Sequence, residues 1–143
     1  MEIRESILDD YRQLAPLMEQ LGYPTSTEQM KQRLTYITSS PNYHTLVAID
    51  NEKIIAMIGL VKSFYYEMDG SFIRIQAFIV DATYRNQGVG KRLLEEAEEW
   101  ARSSGATGIS LNSGNREERI AAHKFYEKRG YVARSIGFAK SLR

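Results

Sequence analysis

The segment that most restricts this chain is Val80-Asp81-Ala82-Thr83-Tyr84-Arg85-Asn86-Gln87-Gly88-Val89-Gly90-Lys91, where a strand pattern runs through a glycine-bearing turn into a helical one. Glycines let the backbone approach a ligand with no Cβ in the way. The free N–H groups that open a helix, with the positive end of its dipole, favour phosphate oxygens. Lys91 and Arg92 add charge. Such a turn can cradle an anion, and it demands an α/β order of elements. The plainer reading is a tight turn followed by a helix N-cap.

Two common phosphate loops are excluded by the residues themselves. A Walker A loop needs Gly-x-x-x-x-Gly-Lys and then Ser or Thr, but positions 85 and 92 are both Arg. A dinucleotide fingerprint needs a third glycine, and Gly88-x-Gly90 is followed by Leu93.

The remaining patterning places this turn in a single domain over 1–143, a length that supports one core. Ile3 lies in a short first strand. Asp9 is a plausible N-cap for a helix carrying Leu14, Leu17, Met18 and Leu21, which Gly22-Tyr23-Pro24 ends. Ser26 and Gln29 match a capping box, and Met30, Leu34 and Ile37 mark one face of a second helix that ends before Pro41. Strands are predicted over 44–49 and 54–61, around a turn at Asp50-Asn51. Asp69-Gly70 opens a third strand, in which Phe72, Arg74, Gln76 and Phe78 alternate with Ile73, Ile75, Ala77 and Ile79. After the turn, Val89, Leu93, Leu94, Ala97, Trp100 and Ala101 form the stripe of an amphipathic helix that stops at Gly105. A strand over 108–111, a helix over 117–129 closed by Gly130, and two strand-like pieces within 131–142 complete the chain.

A formal charge of +1 gives little attraction to phosphate backbones, so no nucleic-acid partner is expected. The chain has no cysteine, which excludes thiolate metal clusters and cysteine nucleophiles, and no metal site is expected. The start Met-Glu-Ile-Arg-Glu lacks a signal pattern and no run reaches the length of a membrane span. The expectation is a cytoplasmic protein without a membrane partner.

A second informative segment is Arg119 to Tyr131. At about 100° per residue, Arg119, Ala122, His123 and Tyr126 share one helix face and could address a common ligand.

Together, Arg85-x-x-Gly88-x-Gly90, the preceding Val80, the following Leu93-Leu94, and Ala122 with Tyr126, Gly130 and Tyr131 resemble the motifs of the GNAT superfamily of N-acetyltransferases. The resemblance implies a mixed α/β (α+β) fold: a mostly antiparallel twisted sheet of six to seven strands flanked by about four helices. It implies acetyl-CoA as co-substrate, held by Phe78, Ile79, Val80, Arg85, Gln87, Gly88, Val89, Gly90, Lys91, Arg92, Arg119, Ala122 and Tyr126. By the same resemblance Tyr126 is the general acid, and the N–H of Phe78, near a bulge on the central strand, stabilises the oxyanion. Met57-Ile58-Gly59-Leu60, Ile75-Gln76 and the ending Phe138 to Leu142 look like the small-molecule branch that includes aminoalkylphosphonate acetyltransferases.

The chain departs from the family pattern in two respects. Many members carry Asn where this chain has Arg119, and many carry a strand Glu where this chain has Gln76 and Ala77. A proton acceptor for the amine must then come from elsewhere, with Glu67, His44 and Asp81 as candidates beside their readings as surface carboxylates and a strand-edge histidine. For the acceptor, Tyr23, Phe64-Tyr65-Tyr66, Glu67 and Gln76 are candidates by position, with cross-strand aromatic packing as the alternative role. Arg74 or Lys62 could pair with an anionic head group. The expected activity is direct transfer of an acetyl group from acetyl-CoA to a small primary amine in a ternary complex. Acetylation of a protein or peptide, and a non-catalytic acyl-CoA-binding module, are the alternatives. The strand-like tail could also pair across a homodimer.

Overall fold

A computed structural model describes residues 1–113 and 120–143. The chain divides into two compact units, Met1–Ser110 and Leu111–Arg143.

The first unit is built on a sheet whose strands follow chain order: β1 (Glu2–Glu5), β2 (Tyr43–Asp50), β3 (Lys53–Phe64), β4 (Ser71–Val80) and β5 (Gly108–Leu111). The first three pairings are antiparallel. Thr107 donates its N–H to Ser71 O at 2.8 Å, level with the start of β4. For β5 to lie beside β4 from that point, it must run parallel to it. The sheet is therefore mixed. Because β5 has four residues and β4 ten, β5 can flank only the first half of β4, and Phe78 to Val80 lie past its end.

Helices α1 (Tyr11–Leu21) and α2 (Thr27–Ser39) cover one face, where Leu14, Leu17, Met18, Met30 and Leu34 pack with Val47, Met57 and Ile79. Each of these leucines is almost wholly buried, which stabilises the fold by about 1.5–3 kcal/mol apiece. Helix α3 (Val89–Ser103) lies on the other face and buries Val89, Leu93, Leu94, Ala97 and Ala101. Lys62 Nζ donates to Ser104 O at 2.8 Å, satisfying a carbonyl at the end of α3 and complementing its negative dipole end.

Local chemistry sets the boundaries. The capping box forms: Gln29 N–H donates to Ser26 Oγ and Ser26 N–H to Gln29 Oε1, both at 3.1 Å. Gly22, at φ 106°, ends α1, with its N–H on Glu19 O and that of Tyr23 on Met18 O. The expected cap at Asp9 belongs instead to Asp10. A short 3₁₀ turn, Leu8–Asp10, precedes α1, and Asp10 takes the Ile7 N–H at 2.8 Å and a bidentate bond from Arg4 at 2.8 and 2.9 Å. The β2–β3 turn sits one residue later than expected: Asn51 and Glu52 adopt φ 49° and 64°, the left-handed pair that a tight hairpin requires.

The strict alternation expected along β4 is broken. Gly59 faces Ala77 but Leu60 faces Ile75, so Gln76 is an extra residue on β4. Cross-strand partners share a face. Ile73 and Ile75 therefore face α3, while Ala77 and Ile79 face α1 and α2, although the sequence alternation puts all four together.

In the second unit, α4 (Ile120–Lys128) ends at Gly130, φ 89°, with Gly130 N–H on Glu127 O and Tyr131 N–H on Tyr126 O. The expected start of this helix at Glu117 lies outside the described residues. The six to seven strands expected are five among the described residues, because 131–143 forms no strand. Its Val132, Ile136, Phe138 and Leu142 are exposed. An apolar alternation becomes a strand only where a neighbouring edge takes its hydrogen bonds.

Candidate active site

The turn between β4 and α3 is held in place by side chains of its own residues and by Gln20 of α1. Asp81 Oδ1 accepts from Thr83 N–H at 2.9 Å and Thr83 Oγ1 at 2.8 Å; its other oxygen lies 3.4 Å from Gln20 Nε2 and 3.6 Å from Lys53 Nζ. The Thr83 N–H and hydroxyl hold this carboxyl below its ordinary range, against the effect of burial. Gln20 Oε1 accepts from Ala82 N–H at 2.8 Å, which ties α1 to the turn. Arg85 Nε donates to Val80 O at 3.2 Å, and Gln87 Nε2 to Thr83 O at 3.2 Å. Both side chains therefore fold back on the loop.

At the end of that loop Gly88 adopts φ 80° and opens α3, and among the described residues no side chain caps the helix. The Arg92 N–H already donates to Gly88 O at 3.1 Å, so of the loop amides expected to meet the ligand that of Arg92 is engaged within the helix. The N–H groups of Val89, Gly90 and Lys91 precede the first acceptor of the helix and have no carbonyl of its own to meet. Gly88 and Val89 line a depression of about 240 Å³ together with Met1, Asp50, Ile55, Tyr84, Gln87 and Arg92. Across it, Tyr84 donates its hydroxyl to Asp50 at 3.1 Å, a bond that raises the hydroxyl above its usual pKa and keeps it protonated.

A second cavity, of about 130 Å³, lies between the sheet and helices α1 and α2. Leu14, Met18, Met30, Leu34, Ile37 and Met57 line it, with Arg33, Tyr43, Thr45, Gly59, Gln76 and Ala77. The bulge explains why two consecutive residues of β4, Gln76 and Ala77, both face it. Gly59 opposite them has room, since a Cβ there would come no nearer than 3.8 Å to a neighbour.

In the second unit, Ala122 and Tyr126 are four residues apart on α4 and both half-buried. The Tyr126 ring meets Phe125 edge-on at 5.4 Å and Tyr131 at 5.6 Å. Arg119, expected on the same face, lies outside the described residues.

With the site laid out, the match to known proteins decides its class. A model of the acetyltransferase (GNAT) family matches residues 3–131. The chain belongs to the GNAT family. This GNAT acetyltransferase is an acyltransferase of a family whose members use acetyl-CoA as co-substrate. It is 30% identical over 135 residues to YhdJ, an uncharacterized N-acetyltransferase of Bacillus subtilis (strain 168), covering 94% of this chain and 93% of that one. It is 36% identical over 104 residues to an aminoalkylphosphonate N-acetyltransferase of Salmonella typhimurium, covering 71% of this chain and 65% of that protein. The crystal structure of a GNAT family acetyltransferase from Staphylococcus aureus superposes with a TM-score of 0.86 at 35% identity, covering 99% of this chain and 98% of that one.

Several candidates of the sequence reading take other places in this GNAT acetyltransferase. Tyr65 and Glu67 lie at the tip of the β3–β4 hairpin, where Tyr65 packs on Phe72 with ring centres 4.8 Å apart; neither lines the cavity at Gln76. Tyr23, just past α1, is exposed and does not line it either. Lys62 faces α3, and Arg74 is absent from the cavity wall. His44 stacks on Trp100 at 4.3 Å with 4° between the rings, and its Nδ1 is 3.4 Å from Glu5. Burial lowers its pKa, against the pull of Glu5. Asp81 is committed to capping. The residue that the sequence reading missed is Arg33. It follows Met30 by three positions and precedes Ile37 by four, which places it beside the apolar stripe of α2. Among the described residues, no helix is long and apolar enough to cross a membrane.

Proposed function

We propose that this GNAT acetyltransferase transfers the acetyl group of acetyl-CoA directly to the primary amine of a small molecule, through a ternary complex formed by one domain over 1–143. The observation that carries this reading is the uncapped start of α3 at Gly88, which opens just after a strand whose second half extends past β5. Phosphate oxygens would meet the N–H groups of Val89, Gly90 and Lys91 and the Arg92 guanidinium, with Arg85 and Gln87 holding the loop. The edge of β4 from Phe78 to Val80 would take the amide-rich arm of the ligand, and the Phe78 N–H would meet the oxygen of the thioester carbonyl as negative charge develops there. Ala122 leaves room on α4, and the Tyr126 hydroxyl gives its proton to the departing sulfur.

Among the described residues, the cavity walls at Gln76 contain no carboxylate or imidazole. Gln76 can orient an amine but cannot take its proton. The acceptor therefore reacts as its free base, and the proton leaves to water before attack.

The test combines acetyl-CoA binding by calorimetry with thiol release across a panel of small amines and peptides. Binding with turnover of small amines is the expected result. Turnover of peptides alone, or binding with no turnover of any amine, sinks the reading. Tyr126→Phe should lower kcat by about a hundredfold and leave acetyl-CoA affinity unchanged.

A further inference from the structure

We propose that the acceptor is a primary amine with an apolar body and an anionic group, and that Arg33 determines this specificity by pairing with the anion. The inference rests on the small-amine reading above and names its substrate class.

The argument starts from the composition of the cavity wall. Met18, Met30, Leu34 and Ile37 make the space between the helices and the sheet apolar, and among the described residues no acidic side chain lines it. A polyamine or aminoglycoside would bring several positive charges to a wall that offers none to neutralise them. Burying such charges unpaired is costly. Among the described residues, the one ionised group on the wall is the Arg33 guanidinium.

Arg33 is also held ready for a partner. Its Nη2 donates to Thr25 Oγ1 at 2.9 Å, and Thr25 in turn contacts Gln29 Oε1 at 3.1 Å. Among the described residues its Nη1 meets the Met30 sulfur, at 4.0 Å, a weak acceptor. No carboxylate among the described residues forms an ion pair with it. A planar guanidinium anchored on one nitrogen, with donors left over, suits a carboxylate or phosphonate. The size of the cavity fits the rest of the molecule: about 130 Å³ is close to the roughly 150 Å³ apolar cavity that admits benzene. A phenyl or branched alkyl group would fill it, with Gln76 and Ala77 at the strand that carries the chemistry.

The experiment uses the full chain and four amines: phenylalanine, its phosphonate analogue, phenethylamine, and spermidine. Acetyl transfer is followed by thiol release, and binding of each amine to the CoA-loaded protein by calorimetry. The two anionic amines should be preferred over phenethylamine by about ten- to a hundredfold in kcat/KM or in affinity, with spermidine weakest. The ratio between carboxylate and phosphonate identifies which anion the site prefers. Arg33→Gln should raise KM for the anionic amines by about tenfold, leave kcat within twofold, and leave phenethylamine unchanged. Arg33→Lys should restore part of the loss. Preference for phenethylamine or spermidine, or an equal effect of Arg33→Gln on all four, overturns the inference while leaving a small-amine acetyltransferase intact. Anion-dependent binding lost in Arg33→Gln, with no turnover of any amine, upholds the inference and removes the catalytic reading instead.

Discussion

Gln76 and Ala77 are neighbours in sequence and yet face the same cavity, because the β3–β4 register slips by one residue opposite Gly59. That slip gives β4 two inner faces. Its first half packs under α3, its second half under α1 and α2, and the switch occurs where the cavity beside α2 opens.

Gly59 is the most direct lever on that cavity. A Cβ at Gly59 meets only ordinary contacts at 3.8 and 3.9 Å, so larger residues should fold there. Gly59→Val should change stability by less than about 1 kcal/mol, since a strand position tolerates a β-branched residue. Its methyl groups would occupy space meant for the acceptor. Steady-state kinetics should show the acceptor KM raised about tenfold or more, with acetyl-CoA affinity unchanged by calorimetry.

Gly88 and Gly105 offer a matched pair at the two ends of α3. Both have positive φ, 80° and 83°, and an added Cβ meets nothing within 4 Å at either. Alanine at each should cost about 1–2 kcal/mol through the backbone alone, a few degrees in Tm. Only Gly88→Ala should weaken acetyl-CoA, by about tenfold. Equal loss in both variants would place the phosphate contacts elsewhere.

The rate should follow the acceptor's own ionisation. With no carboxylate or imidazole among the described residues of the cavity wall, kcat/KM should rise about tenfold per pH unit between roughly pH 6 and 8.5, and level only near the pKa of the amine. A plateau near pH 7, shared by amines of different basicity, would reveal a base on the protein.

Stability has a separate pH signature. Burial against Trp100 lowers the His44 pKa, opposed by Glu5, so the folded state prefers the neutral ring. A histidine depressed in this way contributes stability in full above its unfolded value, about 6.5, and loses it as pH falls through the folded value. Tm should decline between pH 7 and 5 in the native chain, and His44→Phe should flatten that slope. Asp10 acts lower on the scale. Burial raises its pKa, but the Arg4 and Ile7 hydrogen bonds outweigh that and hold it below the ordinary range, so its contribution is lost only below about pH 4.

Much of this architecture is written locally. Gly88 before an amphipathic run, the Ser26–Gln29 box and the Gly22 stop are each chemistry within four residues, and each appears in the structure where the sequence places it. The bulge is different. From Phe72 to Ile79 the side chains alternate without a fault, and only the strand across the hairpin, at Gly59 and Leu60, shows where the ladder slips. The tail over 131–142 has the letters of a strand, but strand formation depends on an edge that those letters do not contain. Arg33 escaped for a related reason. A charge on a helix is ordinarily a solvated face, and its place on a cavity wall depends on the sheet packed opposite.

The irregularity in β4 constrains how this protein can diverge. Because the ladder is pinned on both sides of Gln76, losing or gaining one residue in 71–75 or 77–80 would exchange what the strand presents to each face, turning core isoleucines outward. Loss of Gln76 itself would instead restore an unbroken ladder and take one of the two β4 residues out of the chamber wall. Descendants are free to respell this strand for new amines, but can change its length only at the bulge.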